Sequence, residues 1–194
     1  MKDNLPTGMA KRIFDIIFSL TAITLLSWLM VLVYLAASAA TRSGGLFLQQ
    51  RIGRFGKPFT IYKFRTINPE NGMINMTSGF LRRSKMDELP QFFNVLFGDM
   101  SIVGPRPDIS GYYDRLTGED RRLLDLRPGI TGPASLKYFD EEAILSRQAD
   151  SLKYNDEVIF PDKVRINRIY QQRQSIALDV KIILYSVIGK KLWD

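Results

Sequence analysis

The chain has 194 residues, a formal net charge of +7, and neither histidine nor cysteine. These two absences exclude Ser-His-Asp and Cys-His nucleophile systems, zinc sites built on His or Cys, thiolate-held iron–sulfur clusters and disulfide scaffolds. Any chemistry must come from carboxylates, Lys and Arg, hydroxyls, backbone amides or a metal ion held by oxygen ligands. The basic charge favours a polyanionic partner, which could be nucleic acid, anionic lipid or a phosphorylated substrate.

An apolar segment near the N-terminus is long enough to enter a membrane. Residues 16–41 contain no charged side chain, and a helix of this length extends about 39 Å. The hydrocarbon core of a bilayer is about 30 Å thick. A buried helix of a soluble core is a weaker interpretation. A cleaved signal peptide is also disfavoured, because the apolar stretch is too long and Asp15 precedes it.

Basic residues flank this segment on both sides. The flanking cations are Lys2, Lys11 and Arg12 before it and Arg42, Arg51, Arg54, Lys57, Lys63 and Arg65 after it, with no acid until Glu70. By the positive-inside rule, both flanks favour the cytoplasm. A re-entrant helix satisfies this rule, and its break would fall at Ser27-Trp28, because serine can bond to freed carbonyls. No proline forces a break there, so a plain membrane span remains an alternative.

Beyond residue 41 the pattern predicts short strands followed by helices and loops. Residues 42–69 contain alternating apolar runs divided by glycine and proline, which is typical of strands, and residues 68–78 are polar and loop-like. The predicted helices cover residues 87–98, 112–126, 141–152, 162–174 and 179–193, and the predicted Gly/Pro loops cover residues 101–108 and 127–133.

The predicted C-terminal helix is amphipathic and basic. Its apolar stripe consists of Val180, Ile183, Leu184, Val187, Ile188 and Leu192, and its cations are Lys181, Lys190 and Lys191. Together with Trp193, this composition suits a membrane surface. Packing into the core is an equal alternative, because the stripe does not reveal what it faces.

The stretch FLRRSKMDELPQ (residues 80–91) carries the most chemical information. Pro90 lacks an N–H and belongs in the first turn of a helix, which predicts Asp87 as the N-cap and places Glu88 in the first turn. A purely structural pair, one capping the helix and the other complementing its dipole, is the common interpretation. Adjacent carboxylates can also have separate catalytic roles, in which one attacks phosphorus as a nucleophile and the other binds Mg²⁺.

Basic residues near tight turns would complete a phosphate-binding site. They are Arg82, Arg83 and Lys85 beside the carboxylates, Lys63 and Arg65 in YKFR, and Arg106 between Pro105 and Pro107 in GPRPD. Such groups bind phosphate through charge and through backbone amides at turns. The pattern therefore permits phosphoryl transfer without proving it.

At these residues the chain resembles the bacterial sugar transferases, also called monotopic phosphoglycosyl transferases. The matching motifs are KRIFD (11–15), FLQQRIGRFGKPF (47–59), YKFRT (62–66), FLRRSKMDELPQFFNVLFGDMSIVGPRP (80–107) and RPGITG (127–132). The resemblance implies an α+β, mainly helical fold. A re-entrant membrane helix would occupy residues 1–41. Residues 42–194 would form a compact cytoplasmic catalytic domain with amphipathic interfacial helices and a small β element.

The resemblance also implies an activity. A sugar-1-phosphate would pass from a UDP-sugar to polyprenol (undecaprenyl) phosphate, with release of UMP, at the cytoplasmic face of the bacterial inner membrane. This reaction is the first membrane step of glycoconjugate assembly. Asp87 would form a covalent phosphosugar in a ping-pong mechanism, and Glu88 would bind Mg²⁺. The phosphate or nucleotide would contact Lys63, Arg65, Arg82, Arg106, Pro105 and Pro107.

The sequence departs from the family at several places, and two of these departures bear on the topology and the substrate. Trp28 stands where the family usually has a proline after Ser27, and PASLKYFDEEAIL follows RPGITG in place of the frequent WAQVNGR-like segment. The second departure means that the usual sugar substrates should not be assumed.

Two alternative functions are kept open. They are a ternary-complex transferase without a covalent intermediate and a non-enzymatic membrane-anchored scaffold. Nucleic acid is not an expected partner, because the basic residues adjoin the membrane segment and no binding motif accompanies them. Membrane lipids are expected partners, and a homodimer is one option for the oligomeric state.

Overall fold

The computed structural model describes the backbone of residues 5–189 and the side chains of residues 8–189. The fold is mainly helical with two small sheets, which confirms the predicted class. The helices are α1 (Leu5–Thr41), α2 (Met76–Arg83), α3 (Gln91–Phe97), α4 (Pro133–Lys137), α5 (Glu141–Leu145), α6 (Ser151–Tyr154), α7 (Phe160–Arg173) and α8 (Ile176–Ile188). The strands are β1 (Leu46–Ile52), β2 (Pro58–Phe64), β3 (Ser101–Val103) and β4 (Gly129–Thr131).

Helix α1 packs one side against the rest of the protein. It has 37 residues and is about 55 Å long. Near its start, Lys11 Nζ lies 2.7 Å from a carboxylate oxygen of Asp179, and Asp15 accepts hydrogen bonds from the Ser101 hydroxyl and from the backbone N–H of Ile102. Near its end, Ala37 is fully buried. Both ends of the apolar segment therefore contact the same folded body.

The other side of α1 is apolar and exposed. It carries Ile13, Ile17, Leu20, Leu25, Trp28, Leu32 and Leu35. By length and composition, the helix could cross a membrane. Monomeric soluble proteins rarely expose an apolar surface of this extent, so the surface indicates contact with lipid or protein.

The predicted break at Ser27-Trp28 is not present, and α1 continues through both residues. The Ser27 hydroxyl donates to the carbonyl oxygen of Thr24 within the helix, at 3.1 Å. Because neither residue is a proline, every backbone N–H here can still join the helical hydrogen-bond ladder.

Strands β1 and β2 form an antiparallel hairpin, as residues 42–69 predicted. Leu46 pairs with Phe64, and Ile52 pairs with Pro58. A hydrogen bond of 2.8 Å from the N–H of Gly53 to the carbonyl of Lys57 closes the hairpin turn. The following polar segment is shorter than predicted, because α2 begins at Met76.

The two predicted Gly/Pro loops contain the strands β3 and β4, which pair in parallel. A side chain at Gly104 would collide with the carbonyl of Arg127, and one at Gly129 would collide with the backbone of Gly104. Glycine is therefore required for the close approach of these two segments. The pairing fixes the chain immediately before Arg106.

The core lies between the hairpin, the β3–β4 pair and the C-terminal helices. Its buried members are Ile61, Val95, Met100, Ile102, Val103, Leu136, Tyr170 and Ile182. A second cluster of Met30, Val33, Ala37, Phe64 and Leu81 attaches α1 to the hairpin and α2.

Two helix predictions in the C-terminal half are wrong. In place of a helix over residues 112–126, the chain forms 3₁₀ helices at Tyr113–Arg115 and Gly118–Asp125. Gly111 and Gly118 have positive φ angles of 111° and 57°, which an α-helix cannot accommodate. The predicted helix over residues 141–152 is divided into α5 and α6 at residues 146–150.

The last two helices agree better with the sequence pattern. Helix α7 matches the predicted helix over residues 162–174. Helix α8 starts at Ile176 and ends before Gly189, whose φ is 67°, and residues 190–193 of the prediction lie outside the described residues. Helix α8 buries Asp179 and Ile182 but exposes Val180, Leu184, Val187 and Ile188. Packing into the core is therefore confirmed for one side of this helix. The other side presents apolar surface, and its contact with a membrane stays a prediction.

Candidate active site

Asp87 and Glu88 lie in a 3₁₀ turn, Met86–Glu88, that precedes α3. The predicted N-cap role of Asp87 is wrong, because the residue preceding the first turn of α3 is Pro90. Pro90 has no N–H with which to bond back to the preceding turn. Lys85 enters the turn with a φ of 57°, a left-handed conformation that is uncommon outside glycine and costly for the backbone. The turn directs both carboxylates into the protein.

Glu88 is held by two cations from distant parts of the chain. Its Oε1 accepts a hydrogen bond of 2.6 Å from Arg106 and one of 3.2 Å from Lys63. The Glu88 side chain is almost inaccessible, with 7% of the residue exposed. Burial alone would raise the pKa of Glu88, but Arg106 and Lys63 outweigh burial and lower the pKa to about 2. Glu88 is therefore ionised at neutral pH.

Asp87 has the opposite environment. It is 8% exposed, and its Oδ1 is buried without a hydrogen-bond partner among the described residues. Burial, followed by the negative charge of Glu88, raises the pKa of Asp87 to about 6. A buried oxygen without a partner is costly and rare in folded proteins. A buried carboxylate with a perturbed pKa beside a cluster of cations is typical of a functional site.

The structure brings only some of the predicted cations to this site. Lys63 and Arg106 contact Glu88 directly. Arg82 lies close enough to lower the pKa of Asp87 by its charge, but its guanidinium pairs with Glu142 at 2.6 Å. Arg65 donates to the carbonyls of residues 44 and 46 and stabilises the start of the hairpin. It makes no described contact with either carboxylate.

Pro105 and Pro107 are buried on both sides of Arg106. Pro105 also accepts a hydrogen bond of 2.8 Å from the N–H of Gly129. The two rings restrict the backbone of this segment. They hold Arg106 in place, which is the positioning role expected of a rigid loop.

Asn94 is a positioning residue that the sequence did not identify. It is fully buried, its Oδ1 accepts from the N–H of Tyr62 at 2.9 Å, and its Nδ2 donates to the carbonyl of Thr60 at 2.7 Å. These bonds join α3 to the edge of β2, the strand that carries Lys63. In the sequence, Asn94 stands within the matching motif of residues 80–107, but only the folded structure shows which groups its side chain bonds.

Arg12 is a second such residue. It donates to the carbonyls of Val95 and Leu96 at 2.6 and 3.0 Å. These carbonyls belong to the last turn of α3, where a cation also complements the helix dipole. The KRIFD motif is thereby connected to the helix that follows the carboxylate turn.

The carboxylate oxygens at this site suit Mg²⁺. They do not suit a metal ion whose ligands must all come from the protein. Among the described residues there is no group of three or more acidic, His or Cys side chains that could hold an ion. Mg²⁺ commonly uses one or two carboxylates and completes its shell with water and phosphate oxygens. Asp87 Oδ1 lacks a partner, and both described contacts of Glu88 fall on Oε1. The carboxylates therefore retain oxygens for such an ion.

Comparison with known proteins identifies the family. The family model described as bacterial sugar transferase matches residues 6–190. The chain belongs to the bacterial sugar transferase family. The match confirms the family that the sequence resemblance indicated.

The relatives within the family include a named transferase and an uncharacterised one. A UDP-glucose:undecaprenyl-phosphate glucose-1-phosphate transferase of Klebsiella pneumoniae is 32% identical over 192 residues, covering 91% of this chain and 39% of that protein. An uncharacterised sugar transferase, EpsL, of Bacillus subtilis is 32% identical over 187 residues, covering 91% of this chain and 85% of that protein.

A third relative acts on a different sugar nucleotide. It is a UDP-N-acetylgalactosamine-undecaprenyl-phosphate N-acetylgalactosaminephosphotransferase of Aeromonas hydrophila, 37% identical over 141 residues, covering 65% of this chain and 33% of that protein. The chain therefore spans less than half of the length of the Klebsiella and Aeromonas relatives but most of the length of EpsL.

Replacing Asn94 tests its positioning role. We expect Asn94→Ala to leave the N–H of Tyr62 and the carbonyl of Thr60 unpaired, at a cost of about 1–3 kcal/mol for each group. The melting temperature should fall, and activity should fall further because the strand carrying Lys63 loses its anchor. Asn71→Ala is the matched control, since the bond from Asn71 to the N–H of Met73 is exposed and water can replace it. Equal thermal unfolding of both variants would contradict the assignment.

Proposed function

We propose that the chain transfers a sugar-1-phosphate from a UDP-sugar to polyprenol (undecaprenyl) phosphate, giving polyprenol-diphosphate-sugar and UMP. The observation that carries this proposal is Asp87, a buried carboxylate that lies beside an ion cluster of Glu88, Lys63 and Arg106. Its Oδ1 has no hydrogen-bond partner in the part of the chain that the structure describes. The named activities of the Klebsiella and Aeromonas relatives support the substrate classes.

The chemistry proceeds by two displacements at one phosphorus atom. The carboxylate of Asp87 attacks the sugar-bearing phosphorus, an O–P bond forms, and the P–O bond to the nucleotide breaks so that UMP leaves with the electron pair. A phosphate oxygen of polyprenol phosphate then attacks the same phosphorus. The new diphosphate forms, and Asp87 is released as a carboxylate. A covalent step suits Asp87, because without His or Cys an acidic nucleophile is among the few available.

Charge balance explains why the cations are needed. Both substrates are polyanions, and two carboxylates alone would repel them. Lys63 and Arg106 pair with Glu88, and Lys63, Lys85 and Arg82 all act on Asp87 by their positive charge. Preorganised charge of this kind stabilises a phosphoryl-transfer transition state. Mg²⁺, held by Glu88 and phosphate oxygens, would supply further positive charge to the diphosphate.

The two alternatives make different predictions for the same residues. A ternary-complex transferase also needs Asp87, but it forms no bond to the carboxylate. A non-enzymatic scaffold would use Asp87 and Glu88 only as helix caps. The contacts of Glu88 disfavour the scaffold, because they are with side-chain cations and not with the N–H groups of α3.

Substitution of the nucleophile is the direct test of the proposed activity. We expect Asp87→Asn to reduce UMP release by at least about 10³-fold, as is usual when a nucleophile is removed. The assay would combine a panel of UDP-sugars with a short polyprenol phosphate. Asp125→Asn is the control, since Asp125 is exposed, and it should retain full activity. Substantial turnover by Asp87→Asn would refute the role of Asp87.

Removal of metal tests the proposed cofactor. We expect a chelator to abolish UMP release and added Mg²⁺ to restore it, because the diphosphate then loses and regains its counter-charge. Glu88→Gln should raise the Mg²⁺ concentration needed for half-maximal activity. Undiminished turnover by wild-type protein in excess chelator would show that no divalent ion is required.

We further propose that the protein is monotopic, at the cytoplasmic face of the bacterial inner membrane. Support comes from α1, whose two ends contact the same folded body and whose opposite side is apolar and exposed. The helix would rest with this exposed side in lipid and would leave both of its ends on one side of the bilayer. The exposed residues of α8 would add to the same surface.

Single-cysteine labelling tests this topology, and the cysteine-free chain needs no background substitutions. We expect Met9→Cys and Gln172→Cys to react with an impermeant maleimide in inverted membrane vesicles and not in right-side-out vesicles. Trp28→Cys should be protected in both, because lipid covers it. If the first two cysteines react from opposite sides, α1 crosses the membrane.

A further inference from the structure

An apolar cavity of about 500 Å³ lies between α1, the hairpin and α3. Ile23 and Met30 of α1, Tyr62 and Phe64 of β2, and Pro90 and Phe93 near α3 contribute to its walls. Its size falls within the range of about 300–1000 Å³ that is typical of small-molecule pockets. The reaction chemistry at Asp87 and Glu88 uses none of these side chains.

Residues that line the cavity are adjacent in sequence to residues of the carboxylate site. Along β2, Tyr62 and Phe64 line the cavity, and Lys63 between them projects to the other face and contacts Glu88. This follows from the alternation of side chains along a strand. Pro90, two residues beyond Glu88, lines the cavity as well. The apolar cavity and the cationic site therefore lie on the two faces of β2, and the turn from Glu88 to Pro90 also connects them.

The cavity also adjoins the apolar exterior of the protein. Val31 and Phe97 contribute to its walls, yet they are 58% and 66% exposed. Trp28 and Leu32, neighbours on α1, continue this exposed apolar surface. A hydrocarbon chain in a bilayer could therefore reach the cavity without passing through water.

We propose that this cavity binds the isoprene units of the polyprenol phosphate nearest to its phosphate. The inference rests on the proposed function and adds the place where the lipid acceptor lies. The apolar walls match a hydrocarbon chain, and Lys63 with Arg106 complement an anionic group at its end. Polyprenol phosphate carries its phosphate directly at the end of the hydrocarbon, so the cavity and the cations can bind both parts at once. In a phospholipid, ester and glycerol groups separate the acyl chain from the phosphate, and these polar groups would have to lie against the apolar walls.

Filling the cavity from α1 tests this assignment. Ser27 is exposed on α1 and contributes to the cavity wall, so Ser27→Trp adds bulk there without overpacking the buried core. Leu25→Trp is the matched control, because Leu25 is 65% exposed and points about 200° away around the helix. We expect Ser27→Trp to raise the KM for a short polyprenol phosphate at least tenfold. The control should keep the wild-type KM.

A second measurement separates this inference from the proposed function. A burst of UMP release from wild-type protein without any acceptor reports the first displacement. If neither a burst nor turnover occurs with any UDP-sugar, the proposed function fails. If wild-type protein is active but Ser27→Trp and Leu25→Trp have the same acceptor KM, only the assignment of the cavity fails.

Photolabelling distinguishes the two lipid sources. A polyprenol phosphate with a diazirine on its second isoprene unit should label peptides containing Tyr62 or Phe93, and excess unlabelled polyprenol phosphate should compete. If a phosphatidylglycerol with a diazirine in its acyl chain labels the same peptides equally, and polyprenol phosphate does not compete, the cavity belongs to bulk lipid and the proposal is overturned.

Discussion

The ion cluster of Lys63, Glu88 and Arg106 is the interaction on which the arrangement of the site depends. It joins the hairpin, the carboxylate turn and the loop after β3, three segments that are far apart in sequence. Glu88 is buried, whereas Lys63 and Arg106 are only partly buried, and a buried carboxylate is favourable only when it is paired with good geometry. Loss of one partner from such a pair costs about 3–5 kcal/mol, because a buried charge is left uncompensated. The supporting contacts, from Asn94 to β2 and from Gly129 to Pro105, keep the cations at the distances that this pairing requires.

The same cluster makes two adjacent carboxylates chemically different. At Glu88, Arg106 and Lys63 outweigh burial and lower the pKa to about 2. At Asp87, burial and the charge of Glu88 outweigh the nearby cations and raise the pKa to about 6. Environments that separate the pKa values of neighbouring acids commonly separate their roles. The ionised Glu88 pairs with two cations, and Asp87 Oδ1 has no partner among the described residues. Helix α1 places an apolar surface beside this site, which supports the proposal that a lipid acceptor and a sugar nucleotide meet here.

The sequence predicted which residues lie together better than it predicted their backbone geometry. The motifs placed Asp87, Glu88, Lys63 and Arg106 in one candidate site, and the structure brings these side chains together. The predicted N-cap role of Asp87 was wrong because it rested on Pro90 alone. Sequence neighbours do not reveal the left-handed conformation of Lys85 or the distant partners of Glu88. Arg65 resembled Lys63 in sequence, but its bonds to the hairpin start depend on the folded turn. The helix expected over residues 112–126 was lost for a related reason, since Gly111 and Gly118 adopt positive φ angles. The unbroken α1 follows from the absence of proline at Trp28, a departure that was visible in the sequence.

We propose that Asp87 is free to form a covalent bond because Glu88 pairs with Lys63 and Arg106. Peptide mapping by mass spectrometry, after incubation of wild-type protein with Mg²⁺ and a UDP-sugar but no lipid acceptor, detects such a bond directly. We expect the added mass of one phosphosugar on the peptide that contains Asp87, and its loss when polyprenol phosphate is supplied. Full turnover with an acceptor, but no modified peptide under any quenching condition, would contradict the covalent step. Modification of another residue would contradict the assignment of Asp87.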